Sequence, residues 1–507
     1  MSLFTTSRLG RRHCSPELYA ETQHGQDQRI SEEDLHRYTR HRWLVCEGAQ
    51  SCNKVTKCAE GLHNKAFILT MDNGCEVLAK LPNPNAGAAR FTIASEIATR
   101  KLLSDVLKLP VPRVLASSFD ANNHVGAEYI IEEKAPGVCL GSVWNQWSRD
   151  PKLQLIIQMI DIQNTLTGVT FDMHGCIYFK DDLRSLGEEP KEANIQSATT
   201  STLDIFAMGP LTTGELWNGV RSGMDLDRGP WKHPSDYTRS LGRNEIAYMK
   251  SHAIPRMNYY RIQRRGVKNV LMHPDLNLDN IFVDPKTLQI TCIVDWQSAC
   301  VAPLFYHADV PRMCAHRGPL QEGWVVPERP EDFGSLSAEE QRKIDDDLES
   351  QILHKYYLAK VYRLSPRYWS VLQNKKIPII RKPVWLVTGV WENCDLFFVR
   401  ESLTSLFAQW EKLVPAVPCP ISFTNQDVEL HSKEEENING VGKLLKIFRD
   451  GSVLPVDGMV LPKDYDTAQK NSRKFKDIFI GLAKDDEEKE LFTKLWSYQE
   501  PADTERL

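Results

Sequence analysis

The chain has 507 residues, 41% hydrophobic and 25% charged, which suits a globular protein of two or three domains or lobes. Against 67 Asp and Glu stand 62 Lys and Arg, a net charge of −5 that excludes a global basic field for nucleic acid and a polybasic membrane anchor, while leaving a local basic patch open. The 12 cysteines form no CxxC pair and no zinc spacing, so they read as reduced thiols of an intracellular protein; no apolar run reaches a membrane span.

Met1–Pro16 carries Arg8, Arg11 and Arg12, several Ser and Thr, and no acid. That is the profile of a mitochondrial transit peptide, and composition fits a disordered basic tail equally well. Residues 18–34 are polar and read as a linker. Ala66–Met71 and Glu76–Leu81 read as strands joined by the Asp72-Asn73-Gly74 turn. Val77, Ala79 and Leu81 share one face of the second strand, and Leu78 and Lys80 the other. Phe91, Ala94, Ala98, Leu102 and Val106 recur at helical spacing until Pro110 and Pro112. Tyr129–Ile131 is a further short strand. A strand hairpin, a helix and more strands predict a small α+β lobe.

Beyond it the chain reads as longer and more helical. Tyr178–Asp182 and Phe206–Trp231 read as an irregular insertion rich in Trp and Gly. Residues 338–363, 398–413 and 467–495 read as helices.

The chemistry concentrates in Leu271–Val283, which contains His273-x-Asp275-x-x-x-x-Asn280. Ile281–Val283 and Ile290–Val294 read as a hairpin that delivers a second acid, Asp295, followed by Trp296. Phosphoryl transfer requires these residue types: a carboxylate, Asp275, to take the acceptor's proton, and oxygen ligands, Asn280 and Asp295, to hold a divalent metal on the triphosphate. His273 and Asp275 are thus the catalytic candidates. Lys80 on its strand and Glu96 on the following helix have the order of the pair that grips the α- and β-phosphates. The one-Gly turn at Glu60–Ala66, with Gly61 and Asn64, is placed to cover a nucleotide. Glu132–Lys134, with Glu133 at its centre, is placed as the hinge whose backbone meets adenine.

These motifs resemble the aminoglycoside phosphotransferase and choline kinase branch of the kinase-like superfamily. Arg37–Leu44, Gly61–Met71, Val111–Val114, Gly126–Gly137, Gly229–Trp231 and Asp464-Tyr465 are similar to the fungal proteins named for altered inheritance of mitochondria. Pro274 stands where many relatives carry Gly, which removes an N–H without removing a catalytic group. The resemblance implies a two-lobed α+β protein kinase-like fold. Its small N-lobe has an antiparallel sheet plus one helix, and its larger C-lobe is mainly helical.

The expected organisation is a transit peptide and linker at 1–34, an N-lobe at 35–134, a C-lobe at 135–415 and a helical extension packed on it at 416–507. The expected function is ATP- and Mg²⁺-dependent transfer of phosphate to a small hydroxylated acceptor, in the mitochondrial matrix or alternatively the cytoplasm, with no nucleic-acid partner. The alternative is a nucleotide-binding scaffold in mitochondrial maintenance. A protein kinase fits less well, because Trp296-Gln297 replaces Phe-Gly and no Ala-Pro-Glu follows. Asp309 is a candidate to face an acceptor cation.

Overall fold

The structure is a computed structural model. It describes residues 48–58, 63–83, 87–123, 125–195, 203–252, 269–316, 318–321, 323–388, 390, 396–415, 417–436, 465–483, 485–486, 489 and 492–493. The expected transit peptide and linker, Arg37–Leu44 and Gly61 lie outside them. The chain divides into compact units, one formed by Arg29–Arg381 and the other containing Lys382–Leu507, so the break falls ahead of the boundary expected at residue 415.

In the first unit a five-stranded antiparallel sheet runs β1 (Cys52–Lys57), β2 (Asn64–Met71), β3 (Glu76–Pro82), β5 (Tyr129–Glu133), β4 (Val114–Ser118). The alternation read in the sequence holds. Val77, Ala79 and Leu81 enter an apolar cluster with Phe67, Leu69, Met71 and Ile131 on one face. Each of these side chains except Ala79 contributes about 1.5–3 kcal/mol on burial. Lys80 lies on the opposite face, in register with Ala66 and Ile130, so the centre of the sheet presents it to the helix that follows.

That helix, α1 (Ala89–Lys101), runs into a π-helical turn at Leu102–Val106, where Leu107 N–H reaches the Leu102 carbonyl at 3.1 Å. Leu102 and Leu103 enter the C-lobe core with Leu155, Ile156, Met159 and Ile160 of α2 (Arg149–Gly168). The N-lobe helix is thereby anchored in the larger lobe.

The region expected to be irregular contains a sheet. β7 (Cys176–Phe179) and β8 (Lys191–Glu192) flank β9 (Phe206–Gly209). The Trp and Gly residues misled there because the strands are only two to four residues long, β7 and β9 buried and β8 exposed. The rest of that segment, through Trp231, has short 3₁₀ turns and no further paired strand among the described residues. Trp217 stacks on Phe91 of α1 at 4.9 Å between ring centroids, which braces the helix from outside.

α3 (Pro234–His252) precedes two small antiparallel pairings that frame the loops of interest. β10 (Asn269–Met272) pairs with β13 (Cys300–Pro303), and β11 (Ile281–Val283) lies between β12 (Ile290–Ile293) and β6 (Val138–Cys139). Gly137, just before β6, has φ 91°, and a Cβ there would collide with the Val283 carbonyl and sit 2.8 Å from Thr291 Oγ1, so β6 can approach β11 only behind a glycine. α4 (Ala338–Leu364) and α5 (Pro366–Leu372) complete this unit's outer layer, with Leu353, Tyr357 and Val361 turned into the core. The arrangement is a two-lobed, kinase-like α+β fold.

In the second unit α6 (Leu396–Ala408) and α7 (Tyr465–Ile480) are helical as expected, and beyond a turn at residues 481–482 the described residues 486, 489, 492 and 493 are helical again. No helix among the described residues is long and apolar enough to cross a membrane.

Candidate active site

Lys80 and Glu96 meet. Nζ lies 3.0 Å from Oε1, with both side chains buried. Arg100, one helical turn after Glu96, stands 3.6 Å from the same carboxylate oxygen. The same Nη1 also contacts the buried carboxylate of Glu132, and Nη2 donates to the Pro112 carbonyl. The face of the sheet under α1 therefore holds a four-membered chain, Lys80–Glu96–Arg100–Glu132. Burial opposes the Lys80 ammonium, but Glu96, Glu132 and Asp295 outweigh it and hold its pKa above the ordinary lysine value. Burial likewise opposes the Glu96 carboxylate, and Lys80 and Arg100 overcome it, so its pKa falls. Both members of the pair stay charged. The field of Asp295 on Lys80 spans the lobes.

Glu133, at the centre of the expected hinge, has its N–H and its carboxylate engaged with Arg113. Its side chain accepts from Arg113 Nε at 2.8 Å, and its N–H donates to the Arg113 carbonyl at 3.0 Å. β5 keeps its ladder through Glu133, so this N–H is spent inside the sheet. Asn64 opens β2, and its Nδ2 donates to Gln297 Oε1 at 2.5 Å, directly joining the lobes next to the Asp295 loop.

In the C-lobe, His273 follows β10. Its Nε2–H donates to the Val294 carbonyl at 2.8 Å, and its Nδ1 accepts the Asp275 N–H at 3.1 Å. Both ring nitrogens are thus committed to backbone, which defines the neutral Nε2–H tautomer. Burial lowers the His273 pKa against the opposing pull of the Val294 carbonyl, Asp295 and Asp275. The ring packs edge-on against Trp296, 4.6 Å between centroids, and Trp296 anchors its indole N–H on the Ile293 carbonyl. His273 thereby ties the loop to the backbone at both ring nitrogens.

Asn277 shapes the rest of the loop. Its Oδ1 accepts the N–H groups of Asp279 and Asn280 at 2.8 and 3.2 Å, capping the short 3₁₀ turn Leu278–Asn280. Its Nδ2 donates to Asp275 Oδ2 at 3.0 Å. Asn280 Nδ2 donates to the Asp275 carbonyl at 2.9 Å, and Val294 N–H closes the loop onto the Asn280 carbonyl at 3.0 Å. Asp295 follows Val294 with φ 62°, a left-handed conformation that costs a non-glycine residue about 1–2 kcal/mol.

The donor set fits a hard cation. Asn280 spends its amide N–H₂ on backbone, which leaves Oδ1 as a ligand, and no hydrogen bond reaches the Asp295 carboxylate among the described residues. One amide oxygen and one carboxylate, with waters and phosphate oxygens, suit Mg²⁺. No group of three or more His, Cys, Asp or Glu among the described residues could hold a metal by itself.

Asp309, the candidate for an acceptor cation, already has a cationic partner within the chain. Its carboxylate pairs with the buried Arg381 at 2.7 Å. Sequence reasoning missed Arg100, Asn277 and Gln297, and named Glu132 for its backbone and not for the carboxylate that meets Arg100. The spacing of Arg100 four residues after Glu96 was a usable signal, whereas nothing local marks Gln297 as the partner of Asn64.

The profile of the phosphotransferase enzyme family (APH) matches residues 239–326, the stretch that holds this loop and Asp295. A subtelomeric hrmA-associated cluster protein of Aspergillus fumigatus is 29% identical, over 89% of this chain and 98% of its own length. Altered inheritance of mitochondria protein 9, mitochondrial, of Lachancea thermotolerans is 24% identical over 74% of this chain and 69% of its own. Among solved structures, amicoumacin kinase hAmiN, in complex with AMP-PNP, Ca²⁺ and Ami, is 13% identical over 84% of this chain and 95% of its own, with a TM-score of 0.32. An aminoglycoside phosphotransferase in ternary complex with AMP-PNP and hygromycin B is 12% identical, over 73% of this chain and 98% of its own, also with a TM-score of 0.32.

Proposed function

We propose that this kinase-like phosphotransferase transfers the γ-phosphate of ATP to a hydroxyl of a small molecule. The buried Lys80–Glu96 pair, facing Asp295 across the lobes, is the observation that carries the reading. A lysine kept charged at the centre of a sheet has no packing purpose that an apolar residue would not serve better. It has a purpose if a polyphosphate lies between the lobes.

Lys80 then holds the α- and β-phosphates, and Glu96 aims it. Asn280 and Asp295 supply the protein oxygens for Mg²⁺, which when bound neutralises the charge that builds on the phosphates. Asp275 takes the acceptor's proton through the oxygen that Asn277 leaves open, and His273 keeps Asp275 and Asp295 in register. The acceptor lies on the C-lobe side of Asp275.

The names of the mitochondrial relatives favour two further points: a mitochondrial location for this chain, and, as a second reading, a nucleotide-binding scaffold in mitochondrial inheritance. The deciding experiment is ATP turnover by purified protein against a panel of small alcohols and amino alcohols, with and without Mg²⁺. Acceptor-dependent ADP release that stops in EDTA supports the enzyme, and Mg²⁺-dependent ATP binding without turnover on any acceptor favours the scaffold. A fluorescent fusion lacking residues 1–16 tests the location, since mitochondrial uptake of that form would refute the transit-peptide assignment.

A further inference from the structure

A second region carries a pattern that phosphoryl transfer does not use. From Ser350 to Ile380 the chain contains no Asp or Glu, yet holds Lys355, Lys360, Arg363, Arg367, Lys375 and Lys376, in a protein whose net charge is −5. The first half of α4 is mainly acidic, with Glu339, Glu340, Asp345, Asp346, Asp347 and Glu349 against Arg342 and Lys343. Complementing the helix dipole requires cations only in the last turn. The basic run continues past the end of α4, through α5, to Lys376.

An apolar tip lies against the same stretch. Trp324, Val325 and Val326 are 57%, 51% and 66% exposed, and Tyr362 and Leu364 on α4 are 56% and 44% exposed. These are five of the 13 large hydrophobics exposed among the described residues, a concentration that scattered surface exposure does not explain. The tip is held in place. Lys355 Nζ donates to the Val325 carbonyl at 2.7 Å, and the Trp324 ring lies 6.0 Å from both Tyr362 and Trp369. The inner face of α4 is committed elsewhere, with Tyr357 bonded to Gln163 of α2 at 3.0 Å, so the aromatic and basic side chains form its outward face.

Exposed aliphatics at a loop tip, Trp and Tyr beside them and cations along the adjoining helices match what an interfacial lipid site requires, with Glu328 the one exposed acid within two residues of Val326. Trp and Tyr sit at headgroup level, aliphatic side chains enter the acyl boundary, and Lys and Arg meet lipid phosphates. Protein interfaces are depleted in Lys, and nucleic-acid grooves do not present paired valines. We propose that this face docks on an anionic lipid surface, with Trp324, Val325 and Val326 inserted and Lys360, Arg363 and Lys375 facing the headgroups.

Flotation of the full chain with phosphatidylcholine vesicles, with and without phosphatidylglycerol, tests this. Binding is expected only where phosphatidylglycerol is present, with a blue shift of tryptophan fluorescence, and it should weaken as salt rises. Two variants, Trp324→Ser/Val325→Ser/Val326→Ser and Lys360→Gln/Arg363→Gln/Lys375→Gln, should each weaken it by about tenfold or more. Absence of flotation on phosphatidylglycerol vesicles, or unchanged flotation of the charge variant, would overturn the proposal. Tighter binding of single-stranded RNA at the same residues would overturn it too, by assigning the face to nucleic acid. Should the apolar variant lose its native circular dichroism, the charge variant, confined to surface side chains, decides alone.

Discussion

The His273 imidazole donates from Nε2 to the carbonyl of Val294 at 2.8 Å, tying the loop that carries Asp275 to the residue just before Asp295. The same ring takes the Asp275 N–H on Nδ1, so one side chain sets the spacing of the proposed base and metal ligand. Removing it should misplace both without removing either. His273→Ala is expected to lower kcat by about 10²-fold, the cost of roughly 1 Å of misplacement. The KM for ATP should change much less. Steady-state kinetics checks this, and an unchanged kcat would end the positioning role.

The buried chain Lys80–Glu96–Arg100–Glu132 gives its members unequal structural weight. Glu96 serves two cations, whereas Lys80 serves one carboxylate that Arg100 also reaches. Glu96→Ala should therefore destabilise by about 3–5 kcal/mol, as expected when buried charges are left uncompensated. Lys80→Ala should cost less in stability and more in ATP binding. Urea unfolding beside ATP-induced thermal shifts separates the two, and a reversed order of destabilisation would contradict the network.

Much of the fold was legible because periodicity carries it. The two faces of β3 and the helix over Phe91–Leu102 follow from alternation and 3.6-residue spacing, and the β11–β12 hairpin from its apolar runs around Asp284-Pro285. The candidate site was legible where its chemistry is local, as in His273–Asn280. It was not legible where long-range contacts decide. The engagement of Glu133 was not legible, because the Arg113 carbonyl that takes its N–H comes from the residue just before β4, 20 positions away in sequence. Asp309 looked free because its partner, Arg381, lies 72 residues away. The short strands β7 and β9 are too brief to outweigh the glycines and tryptophans around them.

Asn64 and Gln297 predict a role for the contact between the lobes. Their side-chain bond at 2.5 Å closes the cleft beside Asp295. Gln297→Ala should raise the KM for ATP by about fivefold, roughly one hydrogen bond of about 1 kcal/mol, and leave kcat nearly intact. A fall in kcat with constant KM would mean that Gln297 acts on the chemistry instead.

His174 and His307 predict the acid limb of stability. Burial lowers His174 from the ordinary 6.5 to about 3, with the nearby His307 adding to it. Burial also lowers His307 to about 4, with Arg381 adding to it and a bond to the Cys300 backbone opposing. Both are neutral in the folded protein and take up protons on unfolding below pH 6.5. Their contribution is complete above that value and is lost as pH falls toward 4 and then 3. The melting temperature should fall through this window, and His174→Phe should flatten the slope. A slope unchanged in that variant would assign the acid limb to other groups.

The central claim is that Asp275 is a base and Asp295 a metal ligand, and one paired measurement separates them. ATP affinity by calorimetry with Mg²⁺, and the rate of a single turnover on a responsive acceptor, are measured for wild type, Asp275→Asn and Asp295→Asn. Asp275→Asn should bind ATP almost as wild type and lose about 10²–10⁴ in rate, the range for a missing general base. Asp295→Asn should lose both, because Asn280 alone cannot hold the cation. Turnover at the wild-type rate in Asp275→Asn would contradict the account.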